Sequence, residues 1–160
     1  MYRRIRIATI NCHGLRNNIM YIKLLQSNNS IVFLQETWCS SKAEVTNLLG
    51  TDTENKIHSI IDAKNENLTR RGRYVGGLTW IIRKEIGKYT VNFINERISV
   101  VIIGRITIIG VYLISNNNKI EDYNCSLTLM FIKINIAYNL KDDLDFINFI
   151  RNCLSLSLKS

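Results

Sequence analysis

The run "ISVVIIGRITIIGVYLI", residues 98–114, constrains the fold more than any other part of the chain. It is almost wholly apolar, yet it falls just short of a membrane-spanning length and carries Arg105 beside Gly104 at its centre. A cation at the middle of a bilayer is costly, so a membrane span is the poorer reading. Two β-branched strands joined by a tight Gly-Arg turn fit it better. Neither strand alternates cleanly between apolar and polar residues, which calls for cover on both faces. A chain built around such a pair folds in layers.

The rest of the chain supplies candidates for those layers. "IRIATI" (5–10) alternates as a strand, and "NCHGLRNN" follows as a loop. Asn17 or Asn18 can cap a helix through about Ser27, with Ile19, Ile22 and Leu25 on one face. "IVFLQE" (31–36) reads as a fully buried strand. Ser41 and Glu44 fit a capping box that opens a short helix carrying Val45, Leu48 and Leu49. "IHSIID", "VGGLTWIIRK" and "YTVNFI" add strands, and "NENLTRRGRY" (65–74) is a polar, basic surface loop. Near the C-terminus, Leu127, Met130, Phe131 and Ile134 have helical spacing, although "LMFIKINI" also passes as a strand. "KDDLDFINFIRNCL" is the better helix, with acidic residues at its positive end. The expected class is therefore α/β of the α+β type: helices on one face of a mixed sheet and a further layer on the other.

With 160 residues, the chain is long enough for one domain with a substantial core. Its formal charge of +8 points toward an acidic partner, nucleic acid first, and a merely basic surface accounts for the charge equally well. Cys12, Cys39, Cys125 and Cys153 are scattered, with neither metal-ligand spacing nor a secretory signal ahead of them. They read as reduced structural thiols of an intracellular protein, the nucleus included.

Chemistry is most concentrated at strand ends. In "IVFLQETWCSS" (31–41) an apolar strand runs straight into Glu36, although Glu is poor strand material and is rarely buried alone. Asn11 ends the first strand, and Tyr112 lies near the end of the last. If these strands are neighbours, the three polar groups share one sheet rim, where ligands usually sit. A carboxylate beside an amide suits a hard cation such as Mg²⁺, which keeps waters and substrate phosphate in its shell. Taken singly, Glu36 also reads as a solvated strand end, Asn11 as a turn residue and Tyr112 as an amphipathic strand end. Trp38 reads as packing in the loop beyond.

"IRIATINCHGL", "IVFLQETW", "RGRYVGGLTWIIRKEI" and "ITIIGVYL", in this order and spacing, resemble the first half of the endonuclease/exonuclease/phosphatase superfamily. The nearest likeness is to the apurinic-endonuclease-like nuclease domains of non-LTR retrotransposons. "LQET" is the most specific piece, and the resemblance covers residues 5–115. It implies a four-layer α/β sandwich and phosphodiester hydrolysis of nucleic acid, DNA foremost, dependent on Mg²⁺ (or Mn²⁺). Carried over, Glu36 is the metal-ligand glutamate, Asn11 the asparagine that helps organise the metal site, and Tyr112 the tyrosine that contacts the phosphate.

The family's second-half signatures are not legible here: a "GDFN"-like stretch and a late Asp-His pair. His13 and His58 come too early in the chain for that pair. Asp142, Asp143 and Asp145 sit at an expected helix start, and the family's proline after "VY" is replaced by Ile114. The expectation is one partial domain over 1–160, an incomplete sandwich made mainly of the first mixed sheet with flanking helices. Residues 116–160 form a divergent helical segment, and nuclease activity is weak or absent. "VVIIG" and "ITIIGV" would then leave an apolar sheet face uncovered, open to self-association. Arg70, Arg71, Arg73 and Lys84, with Arg83, form the densest basic patch and the candidate nucleic-acid contacts. Two alternatives stay open: a non-catalytic nucleic-acid-binding or residual fragment, and action on a phosphomonoester or lipid headgroup.

Overall fold

The computed structural model describes residues 4–50, 54–61 and 76–112, together with the backbone of 113 and of 127–134. Strand β1 (Ile7–Asn11) and strand β2 (Ile31–Gln35) pair in parallel, with Ile7 opposite Ile31 and Asn11 opposite Gln35. A parallel pair needs a crossover, which is provided by a short 3₁₀ turn, Leu15–Asn18, and helix α1 (Ile19–Asn28). Asn18 occupies the N-cap position of α1 without capping it. Its Nδ2 instead donates to the Cys12 carbonyl at 2.7 Å and ties down the loop after β1.

Helix α2 (Lys42–Leu49) starts where Ser41 and Glu44 predict, with the Glu44 amide donating to Ser41 Oγ at 3.1 Å. Only half of the capping box forms. The Glu44 carboxylate accepts from Ser40 and from the Arg16 guanidinium, not from the Ser41 amide.

Strand β4 (Leu78–Arg83) runs antiparallel between β2 and β3 (Asn55–Ile60), completing a mixed sheet in the order β1-β2-β4-β3. The remaining strands, β5 (Thr90–Phe93), β6 (Ile98–Ile103), β7 (Ile106–Leu113) and β8 (Leu127–Ile134), form a second sheet in that order, antiparallel throughout. The expected turn at Gly104–Arg105 joins β6 to β7. The fold is α+β, as expected, and the layer on the far side of the mixed sheet is this second sheet.

Side-chain alternation decides which layer each residue joins. On one face of the mixed sheet, Val32, Leu34 and Ile81 pack with Leu15, Ile22, Val45 and Leu49 from the helical side. On the other, Ile31, Phe33, Leu78, Trp80 and Ile82 meet Val101, Ile108 and Tyr112 of the second sheet. Phe33 and Trp80 stack at 4.3 Å between centroids, and Trp80 Nε1 donates to Ser99 Oγ at 2.8 Å across the layers. Gly110 permits this approach: a Cβ there would lie 2.6 Å from Phe33 ring atoms and 2.8 Å from Trp80.

Two expectations need correction. Within the segment expected to be helical, Leu127–Ile134 is a strand hydrogen-bonded to β7, because an open apolar edge captures a β-competent segment whose spacing fits either structure. The residues expected to leave an apolar face uncovered are mostly buried: Val100, Val101, Ile108, Ile109 and Val111 each expose 3 % or less, and Ile102 is exposed. The segment 141–154 and Cys125 and Cys153 lie outside the described residues. Cys12 and Cys39 are free and buried, and burial foremost pushes their thiols up to about 12 and about 11. Among the described residues, no helix is long and apolar enough to cross a membrane.

Candidate functional site

The ends of β1 and β2 are zipped together beyond the sheet. The Cys12 amide donates to the Gln35 carbonyl at 2.8 Å, Gly14 to Glu36 at 2.9 Å and Leu15 to Thr37 at 2.9 Å. On the other side, the Trp38 amide donates to the Gly76 carbonyl at 3.0 Å. Three non-glycine residues of this rim adopt left-handed backbone: His13 (φ 42°), Glu36 (φ 52°) and Trp38 (φ 54°). Such residues cost of order 1–3 kcal/mol each and persist where their surroundings over-determine them, often at functional sites.

The turn at Glu36 carries its side chain into a buried position, 7 % exposed, between the layers. There Oε1 accepts a hydrogen bond from the Tyr112 hydroxyl, delivered by β7 of the second sheet. Oε2 lies 2.9 Å from His13 Nδ1. The Asn11 side chain makes the turn that returns His13, its Oδ1 accepting from the His13 amide at 3.1 Å. Glu36, Tyr112 and Asn11 thus belong to one cluster, Asn11 linked to it through His13. Trp38 packs over Gly14 and meets the His13 ring edge-on at 6.1 Å.

His13 is the member of this site that the sequence does not single out. Its only signal there is a position two residues beyond Asn11 in a loop closing an apolar strand. With Oε2 as acceptor, Nδ1 carries the shared hydrogen, and a neutral imidazole then keeps its lone pair on Nε2. The rim accordingly offers a carboxylate, a phenol, an imidazole and an amide. A carboxylate and an amide are the donor types that a hard cation takes alongside waters and phosphate, and here Glu36 Oε2 is engaged by His13 and Asn11 Oδ1 by the His13 amide. Among the described residues, no group of three or more His, Cys, Asp or Glu is clustered for a metal.

Arg83 and Lys84 do not join this rim. Leu78 stands opposite Gln35, so β4 carries Arg83 and Lys84 to the far end of the sheet. Arg83 is engaged there, its guanidinium donating to the Gln26 and Ser27 carbonyls at the C-terminal end of α1. Lys84 is exposed. Arg70, Arg71 and Arg73 lie outside the described residues.

No family model matches the chain, and neither the curated proteins nor the solved structures yield a match to it.

Proposed function

We propose that the Glu36 rim is a metal-assisted phosphodiester site of the endonuclease type, with weak turnover or none by this chain alone. The reading is carried by one observation. A buried carboxylate and a phenol, brought from two different sheets, hydrogen-bond beside a strand-end amide. Glu36 and Asn11 would hold Mg²⁺ or Mn²⁺, which supplies a positive charge that offsets the charge growing on a phosphate under attack. Tyr112 would donate its hydrogen to a phosphate oxygen in place of Glu36. Weak turnover is expected because the second-half Asp–Asn and Asp–His signatures of the resembled family are not legible in the sequence. Loss of one general acid or base lowers rates by roughly 10²–10⁴-fold.

Titration calorimetry with Mg²⁺ tests the metal site. The protein should give a saturable signal that disappears in Glu36→Ala; equal heats from both proteins would remove the proposal. Incubating supercoiled DNA with Mg²⁺ tests the turnover. Little or no nicking is expected, and Glu36-dependent nicking at the pace of an ordinary endonuclease would overturn that part. A second reading, non-catalytic nucleic-acid binding, is favoured by the fact that both Glu36 oxygens already have partners in Tyr112 and His13.

A further inference from the structure

A second arrangement lies at the rim opposite Glu36. In β3, Asn55 stands beside Arg83 and Ile60 beside Leu78, so Lys56 sits at the end of the mixed sheet away from Gln35. In the second sheet, Thr90 stands beside Ile102 and Ile103 beside Ile106, so the start of β5 and the β6–β7 turn lie away from Tyr112. β3 and β5 are each the edge strand of their sheet. Between them opens a groove of about 630 Å³, lined by Lys56, His58, Lys88, Tyr89, Thr90 and Ile102. Its volume is within the range of ligand-binding clefts.

Among the described residues, the charge lining this groove is positive. His58 Nε2 and the Tyr89 hydroxyl share a hydrogen bond at 3.1 Å, with the rings edge-on at 5.6 Å. Lys56 Nζ lies 5.7 Å from the centre of the Tyr89 ring. Burial, then the charge of Lys56, lowers the His58 pKa, so the imidazole is neutral in neutral solution and the lysines carry the charge. Among the described residues, neither Lys56 nor Lys88 forms an ion pair. Among the described residues of the same rim, Lys84 and Arg105 are exposed, Glu85 lies 3.8 Å from Arg83 and Glu54 is exposed.

We propose that this groove binds the phosphodiester backbone of a single nucleic-acid strand, with Lys56 and Lys88 on phosphates and Tyr89 and Ile102 forming a wall for a base. Strand binding combines a cationic groove that follows the backbone with aromatic surface open to unstacked bases. Lys56 is held by a ring face alone, an attraction weaker than a charge-assisted hydrogen bond to phosphate. Lys56 lies in β3 and Lys88 in the turn that leads into β5, so the two cations reach the groove from different layers. This surface operates whether or not Glu36 binds a metal.

The chain has two histidines, one at each rim, so imidazole proton resonances separate the two surfaces. Titrating the full chain with an oligothymidylate should shift the His58 resonances. Lys56→Ala/Lys88→Ala should abolish that shift and lower the salt-dependence slope of binding by about 1.4, at roughly 0.7 for each single-strand phosphate that a lysine no longer neutralises. Movement of His13 alone, or an unchanged slope in a double variant with native circular dichroism, would overturn the proposal. Inorganic phosphate displacing the oligonucleotide at equal phosphate concentration would also overturn it, by showing a simple anion site.

Discussion

The Tyr112 hydroxyl donates its hydrogen to Oε1 of Glu36 across the junction of the two sheets, from 76 residues further along the chain. Tyr112 and Glu36 are 6 % and 7 % exposed, so water cannot readily replace the partner either one loses. Hydrogen bonds to charged groups contribute about 1.5–3 kcal/mol, and Tyr112→Phe should lower unfolding free energy in urea by that amount. In a Glu36→Gln background the same change should cost less, since a neutral acceptor is weaker. Equal costs in both backgrounds would show that the pair is not coupled.

Thr37 and Gly77 are coupled by a collision that glycine avoids. Gly77 has φ +87°, and a Cβ there would strike the Thr37 hydroxyl oxygen. That oxygen is buried without a hydrogen-bond partner among the described residues. Gly77→Ala combines left-handed strain with overpacking and should destabilise by about 2–4 kcal/mol. Thr37→Val removes a buried, unsatisfied hydroxyl and should be neutral or stabilising, read from the urea midpoint. A loss above about 1 kcal/mol in Thr37→Val would mean that the hydroxyl serves a group at the rim.

The strands containing Ile7, Ile31 and Ile81 are legible in the sequence because β-branched runs bounded by polar loops leave little alternative. The Gly104–Arg105 turn is legible because a cation breaks an apolar run. Glu36 stands out for the same kind of reason, a carboxylate where a buried strand should continue. The division into two sheets is not legible, since Val100 or Ile108 is equally apolar whichever layer it meets. Leu127–Ile134 satisfies both periods, and pairing with β7 decides between them. His13 is hidden because its role comes from a left-handed turn at φ 42°, and no residue-type rule announces that turn.

Gly110 sets the distance between the sheets. A methyl group there would lie 2.6 Å from Phe33, whose ring is already stacked on Trp80. Gly110→Ala should cost about 1–3 kcal/mol through forced side-chain shifts. It should also change the near-ultraviolet circular dichroism, because Trp80 is fully buried. Adding Phe33→Leu should restore part of the stability by vacating the ring's space. No recovery in the double variant would place the conflict elsewhere.

Glu44 gives the described residues their clearest acid-sensitive contact. The Ser40 hydroxyl, then the Ser40 amide, then the Arg16 guanidinium hold its carboxyl at about 2, below the ordinary 4.5. A folded-state pKa below the unfolded one gives stability that is fully present above about 4.5 and lost as pH falls toward about 2. Arg16 is exposed and Glu44 half-buried, so solvent screens the pair and the effect is small. The difference in urea midpoint between the wild type and Glu44→Gln should be positive at pH 6 and fade across that acid window. Comparing the two proteins at each pH removes the contribution of the other carboxyl groups. A difference that stays constant from pH 6 to pH 2 would mean that the Ser40–Glu44–Arg16 contacts do not hold the carboxylate in solution.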